Sequence, residues 1–333
     1  MVITKTPFRI SFFGGGTDYP SWYERTGKGA VLSTTIDKYC YLNCRYLPPF
    51  FKYKHRIVYS KQEFVNKFES IKNSSARESL KLVKPDRGVE VHYVGDLPAQ
   101  SGLGSSSAFT VGLLNGLYSL QGEIKSKKEL ALDAIHVEQN MIKTNVGSQD
   151  QTAASFGGLN KIEFKKGGNI TPSPIIMADD KLADFQDHLM LFFTDFTRDS
   201  SNIARGWIKN TSKNEDDLKI FLKMVDEGVG ILTSKKDNLD DFGKLLHEHW
   251  QIKRGLAPKI TTSKIDEIYK AGIEAGALGG KLLGAGGGGF ILFFAKPEAQ
   301  PKIREKLKKF LYVPFKFDHG GTQVIYLGNH DPF

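Results

Sequence analysis

Residues 98–108, Pro-Ala-Gln-Ser-Gly-Leu-Gly-Ser-Ser-Ser-Ala, set two glycines and three successive hydroxyls between a strand pattern and a helix pattern. Val89 to Val94 alternates with one apolar face, and Phe109, Val111, Leu113, Leu114, Leu117, Tyr118 and Leu120 repeat with helical spacing. A loop that feeds a helix N-terminus offers unpaired first-turn amides and the positive end of the helix dipole to an anion. Gly102 and Gly104 let the main chain approach a ligand with no Cβ in the way, and Ser105, Ser106 and Ser107 add donors or reach a hydrated metal. Phosphate binding is the chemistry this suits. The plainer alternative is that Ser105 caps a helix after an ordinary glycine turn. The Gly-Lys-Ser/Thr ending of a P-loop and the third glycine of a dinucleotide fingerprint are both missing, so a phosphate loop of another kind is expected.

Other residues stand where chemistry would need them. Arg9 lies among apolar residues of a strand pattern that ends in Gly14-Gly15-Gly16-Thr17-Asp18; a cation and a carboxylate flanking a glycine turn suit a ligand rich in hydroxyls, a turn capped by Thr17 or Asp18 being the alternative. Glu138 shares a helix face with Ala134, Ile135, Met141 and Ile142, where a carboxylate needs an ion pair or a bound cation. With a phosphate loop nearby, Mg²⁺ is the expected cation. Asp150, among small residues after a helix end, reads either as a helix cap or as the group that takes a substrate hydroxyl's proton. The four glycines at 286–289 exceed what a hairpin needs, so Gly286 and Gly287 are expected to face a ligand. Arg198, beside Ser200 and Ser201, is the first candidate to hold a substrate phosphate, or else a solvated cation.

The elements that must position these groups follow from periodicity. Strands are expected at 2–13, 30–47, 54–59 and 89–94, with a helix over 61–83. Ser126-Lys-Lys-Glu129 is a capping box that opens the helix carrying Glu138. A strand at 188–194 leads into helix-rich sequence to about residue 275, which marks a second domain; strands on either side of the four glycines, a helix near 300–310 and strands near 313–317 and 322–327 complete the chain. A chain of 333 residues has ample core for two domains. The net charge of +9 favours anionic small molecules; the basic residues are scattered, which argues against nucleic acid. Cys40 and Cys44 lack a second pair for a metal site and are expected to be buried thiols. No signal pattern or membrane-length apolar run is visible, so a cytoplasmic location is expected.

Pro7-x-Arg9 with its glycine turn, Pro98-x-x-x-Gly102-Leu-Gly-Ser-Ser106 and Gly284-Ala-Gly-Gly-Gly288, in this order, resemble the motifs of the GHMP small-molecule kinases, a family that gathers galactokinase, homoserine kinase, mevalonate kinase and phosphomevalonate kinase. The resemblance spans essentially the whole chain. It implies an α+β, two-domain architecture, with a ribosomal-S5-domain-2-like domain at 1–184, a ferredoxin-like domain at 185–333 and the site between them. It implies ATP and Mg²⁺, with Gly102, Leu103, Gly104, Ser105, Ser106 and Ser107 around the ATP phosphates and with Ser106 and Glu138 on the metal. Asp150 would face the attacking hydroxyl with Arg9 beside it. Gly15, Gly16, Thr17, Asp18, Arg198, Gly286 and Gly287 would meet the substrate. Such chemistry asks a protein mainly for positioning and charge neutralisation.

One departure bears on the substrate. Galactokinases carry Gly-Glu-His-Thr-Asp where this chain has Gly14-Gly15-Gly16-Thr17-Asp18. The change removes the carboxylate that would contact a hexose C6 hydroxyl, opens space and takes away a negative charge. A longer sugar with a phosphate at its far end would fit there. With Thr197 to Ala204, the turn resembles the branch of the family that phosphorylates D-glycero-D-manno-heptose 7-phosphate at the anomeric O1. That implies a sugar-phosphate substrate, a 1,7-bisphosphate product and a place in bacterial surface polysaccharide synthesis; the oligomeric state is left open. Fucokinases share the glycine turn and give the rival reading. A non-catalytic sugar and ATP sensor is the third, against which the intact Arg9, Glu138 and Asp150 argue.

Overall fold

A mixed sheet and an antiparallel sheet share one aromatic core in the computed structural model, which describes residues 1–195, 214–235 and 238–328. In chain order the first part holds β1 (Val2–Phe13), α1 (Pro20–Thr26), β2 (Lys28–Tyr46), β3 (His55–Val58), β4 (Gln62–Val65), α2 (Ser74–Val83) and β5 (Val89–Gly95). Then come α3 (Ser105–Leu120), α4 (Lys127–Ile135) with a π-helical turn at His136–Met141, α5 (Gln149–Phe156), β6 (Asn160–Lys165), β7 (Asn169–Pro174) and α6 (Asp179–Asp187). The second part holds β8 (Leu189–Phe193), α7 (Glu215–Thr233), α8 (Leu239–Lys253), α9 (Ser263–Glu274), β9 (Gly279–Leu282), β10 (Phe290–Phe294), α10 (Gln300–Lys306), β11 (Leu311–Tyr312), β12 (Phe317–Asp318) and β13 (Gln323–Leu327).

The first sheet runs β13-β1-β2-β5-β3-β4, and the long β2 also pairs β6 and β12. Its register with β1 shifts between Pro7 and Phe8, one residue before Arg9. Such a bulge re-aims the side chains that follow it. The second sheet runs β11-β8-β10-β9, antiparallel throughout, with helices after its first and third strands. In sequence order that is 4-1-3-2, the ferredoxin-like arrangement that the motifs imply.

Several local expectations are met by visible chemistry. The Ser126 hydroxyl accepts from Glu129 N at 3.2 Å while the Glu129 carboxylate accepts from Ser126 N at 2.8 Å, so the capping box starts α4. Cys40 and Cys44 are buried free thiols, and burial pushes Cys44 up to about 12, which leaves it unreactive. The expected helix over 61–83 is corrected. Gln62–Val65 pairs with β3, and the helix begins only at Ser74, where Asn73 caps it by accepting from Ala76 N. The cause is Glu63, whose carboxylate accepts the amides of Lys72 and Asn73 and the Tyr59 hydroxyl and so holds the chain out of a helix.

Phe12 and Phe13 at the end of β1 meet Phe185 and Phe242 at ring separations of 5.1–5.6 Å, and Phe242 meets Phe294 of β10 at 5.6 Å. Each pair adds about 0.5–1.5 kcal/mol to the apolar burial, and the cluster fastens the second sheet to the strand that carries Arg9. The chain then returns: β12 pairs β2 and β13 pairs β1. Thus the segment assigned from sequence to a second domain at 185–333 ends inside the first sheet. No helix among the described residues is long and apolar enough to cross a membrane.

Candidate active site

At the centre, Arg9 of β1 grips Asp150, in the first turn of α5, with both ends of its guanidinium: Nε donates to Oδ1 at 2.8 Å and Nη2 to Oδ2 at 3.0 Å. The remaining nitrogen, Nη1, donates to Gly102 O at 2.8 Å, and Arg9 N donates to Leu103 O at 3.0 Å. One cation therefore joins the carboxylate to the glycine-serine loop. Bidentate pairing fixes the carboxylate plane as well as its position. Gly104 closes the group; a Cβ there would lie 3.2 Å from Arg9 Cγ and 3.4 Å from Asp150 Oδ2, and its φ of +75° suits glycine. From Gly104 the chain enters α3, whose first-turn amides lack intrahelical partners.

The three serines part company here. Ser105 Oγ accepts from Gln100 N at 3.2 Å and braces the loop, Ser106 is exposed, and Ser107 Oγ donates to Glu138 Oε2 at 2.9 Å. Leu103 is fully buried, so of the residues expected around a phosphate it offers main chain only. Glu138 sits on the π-helical turn after α4, 2% exposed. It also accepts from Thr110 Oγ1 at 2.7 Å and Gln151 Nε2 at 2.5 Å. Burial pushes its carboxyl up to about 7 against these three hydrogen bonds, with the charge of Asp150 adding to the rise. Ser107 and Thr110 donate to Glu138 from the inner side of α3, while Ser106, expected with Glu138 on the metal, is on the exposed side.

A magnesium ion suits this corner on chemical grounds. All the donors to Glu138 are neutral, so a cation would relieve the cost of its burial. Among the described residues no three His, Cys, Asp or Glu cluster as a metal cage. Mg²⁺ commonly takes one or two protein oxygens plus substrate phosphates, which is what Glu138 beside a phosphate loop would offer.

Asp18 forms the floor on the other side of Asp150. Oδ1 accepts from Gly16 N at 2.8 Å and Oδ2 from Gln149 N at 3.4 Å, while Asp18 O accepts from Ser148 N at 2.9 Å. Gly147 leaves room for it: a Cβ there would lie 1.8 Å from Oδ2. Burial, with the Asp150 charge as a further cause, pushes Asp18 up to about 6. Thr17 is corrected from substrate contact to turn support, since its buried hydroxyl binds Gly14 O and Ala30 O, each at 2.8 Å. Gly15 is different. Only Gln149 Nε2, 3.9 Å away, would meet a Cβ there, so there is room beside it for more than a hydrogen.

The third glycine run packs onto the second. A Cβ on Gly284 would lie 2.5 Å from Gly102 Cα, and one on Gly289 would lie 2.2 Å from Ser101 O. Gly286 and Gly287 instead back onto Ile260, with Gly287 N donating to Ile260 O at 2.9 Å, and both are buried. Their expected ligand contact is corrected accordingly; Gly284 and Ala285 are the half-exposed part of the turn. Arg198 lies outside the described residues. Sequence reasoning passed over Gln149 and Lys253. Lys253 donates to Leu282 O at 3.1 Å and Gly284 O at 2.7 Å, and burial plus the charge of Arg9 push it down to about 7. Its signal was available: it falls three and four residues after Trp250 and His249, both buried.

Comparison with known proteins meets this geometry directly. Residues 68–158 match the GHMP kinases N terminal domain and residues 233–313 the GHMP kinases C terminal domain. The chain belongs to the GHMP kinases. Among similar members, a D-glycero-alpha-D-manno-heptose 7-phosphate kinase of Campylobacter jejuni is 27% identical over 92% of this chain and 93% of its own. A galactokinase of Pyrococcus furiosus is 27% identical over 93% and 94%. The solved D-glycero-D-manno-heptose 1-phosphate kinase of Bacteroides thetaiotaomicron shares the fold, with a TM-score of 0.79 and 21% identity over 99% of this chain and 100% of that one. GHMP kinases are phosphotransferases that draw their phosphoryl group from ATP, and this chain is one of them.

Proposed function

We propose that this GHMP kinase transfers the γ-phosphoryl group of ATP to the anomeric O1 of D-glycero-D-manno-heptose 7-phosphate, giving the 1,7-bisphosphate for nucleotide-activated heptose in bacterial surface polysaccharide. The observation that carries the reading is the opening at Gly15, next to Asp18 and Asp150, in a chain similar along its length to a heptose 7-phosphate kinase. In this reading the α3 N-terminus and the main chain of Gly102–Ser107 hold the triphosphate. Asp150, oriented by Arg9, accepts the proton of the attacking hydroxyl, and the guanidinium lies next to the phosphoryl group in transit. Asp18 and the Gly16 main chain orient the ring hydroxyls, and the far phosphate extends past Gly15, with Arg198, outside the described residues, proposed to hold it. Glu138, with Ser106 and Ser107 at hand, would hold Mg²⁺, which when bound neutralises phosphate charge.

The second reading is an L-fucose or other unphosphorylated sugar 1-kinase. It is supported by a fucokinase/guanylyltransferase of Bacteroides fragilis, 26% identical over 73% of this chain but only 26% of that longer protein. ATP consumption on a panel of sugars and sugar phosphates, followed by phosphorus NMR of the product, separates the two. A new anomeric phosphate on heptose 7-phosphate with fucose and galactose inert is the expected result. Turnover confined to an unphosphorylated sugar would overturn the substrate and leave the kinase.

A further inference from the structure

Each of the three glycine segments has a main-chain carbonyl, at it or at its approach, held by a long cationic side chain. Arg9 holds Gly102 O, Lys281 of β9 holds Phe12 O at 2.6 Å just before the Gly14–Gly16 turn, and Lys253 at the end of α8 holds Leu282 O and Gly284 O. Lys281 is 2% exposed and Lys253 is half-buried. Cations held on carbonyls are costly to bury, more so when they repel one another. Burial, then the charges of Lys253 and Arg9, lowers Lys281 well below the lysine range. An anion arriving in the site relieves all three.

We propose that Lys253 is a positioning residue for phosphoryl transfer: it fixes the Gly284 turn against Gly102 and supplies a second positive charge beside Arg9, behind the phosphate loop. The close backbone contact of Gly284 with Gly102 sets the residue whose carbonyl Lys253 holds against the residue whose carbonyl Arg9 holds. The proposal rests on the reading of Gly102–Ser107 as the phosphate loop and of Asp150 as the catalytic carboxylate.

Steady-state kinetics of full-length Lys253→Met and Lys253→Arg, on the sugar that the panel identifies, test it beside Asp150→Asn. Lys253→Met should lower kcat about 100-fold, the effect of a misplaced catalytic constellation, with the sugar KM within about threefold. Lys253→Arg, which keeps charge and donors, should recover at least about tenfold of that loss. In the wild type, kcat/KM for ATP should fall as pH rises through about 7, where Lys253 loses its proton, and Lys253→Arg should lack that fall. The groups nearest Lys253 are Arg9 on β1, Lys281 on β9 and His249 on its own helix, the last kept neutral by burial. Asp18 and Glu138 act in the opposite sense, by gaining protons as pH falls. An unchanged kcat in Lys253→Met, or an alkaline fall that persists in Lys253→Arg, would overturn the proposal. Full turnover in Asp150→Asn would instead remove the site reading beneath it.

Discussion

Arg9 and Asp150, 141 residues apart, are joined by two parallel hydrogen bonds of 2.8 and 3.0 Å. The third guanidinium nitrogen is on the phosphate-loop carbonyl of Gly102. The proposed base and the proposed cradle are thereby referred to one planar group, and an error in either is transmitted to the other.

Asp150→Asn keeps the side-chain shape, exchanges one acceptor of that fork for an amide donor and removes the proton acceptor. Turnover should fall by about 10²–10⁴, the usual contribution of a positioned general base, with the sugar KM little changed. Near-wild-type kcat would remove Asp150 from the mechanism.

Stability should depend on pH through Glu138. Its carboxyl is raised from 4.5 to about 7 in the fold, so the native state keeps a proton that the unfolded chain releases between those values. Stability is therefore greatest below that window, declines as pH rises through it and levels off above about 7. The single-site effect reaches about 3 kcal/mol. Urea unfolding without nucleotide or metal at pH 5 and 7.5 measures the difference, and Glu138→Gln should shrink it. Asp18 contributes in the same direction between 3.8 and about 6, so the comparison of variants decides the matter. An equal slope in both proteins would show that Glu138 is not the source.

Gly147→Ala should damage sugar binding from outside the pocket. The added methyl would fall 1.8 Å from Asp18 Oδ2 and 2.5 Å from its Cγ, so the carboxylate must move away from Gly16 N. Losing one such hydrogen bond is worth roughly 1–3 kcal/mol, about a 5- to 150-fold rise in sugar KM, while the KM for ATP stays within about twofold. Equal effects on both substrates would indicate general loosening instead.

Gly15→Glu tests the substrate directly. Space for the side chain exists, since a Cβ there meets only Gln149 Nε2 at 3.9 Å. A carboxylate in that opening should repel a phosphorylated sugar and raise its KM about tenfold or more, with a smaller effect on an unphosphorylated one. If phosphorylated and plain sugars suffer alike, the far phosphate does not pass Gly15.

What the sequence disclosed were groups whose chemistry conflicts with their neighbours. Arg9 in an apolar strand, Glu138 on a buried helix face and the surplus glycines all declared themselves that way, and the structure brings Arg9, Gly102, Gly104 and Asp150 together. That Ser107 is the serine bonded to Glu138 was hidden, because three serines in a row differ only in which side of α3 they fall on, and packing on Glu138 sets that. Thr17 misled because a hydroxyl beside a glycine turn reads the same whether it binds a ligand or the turn. β4 was missed because the hydrogen bonds that stop the helix come from Glu63, a side chain with no periodic signature.

Because β12 and β13 pair with β2 and β1, the ferredoxin-like sheet is an insertion with two stems rather than a module hung from one. The chain enters it after α6 and leaves it after β11, and Gly328 N closes onto Met1 O at 2.8 Å. A cut at residue 185 therefore yields two incomplete pieces, one with a bare strand edge along Val2–Lys5 and the other carrying orphaned strands. Two stems also restrict how the halves can part: a wide swing about a single linker is closed to them, leaving small rotations about a line through both crossings.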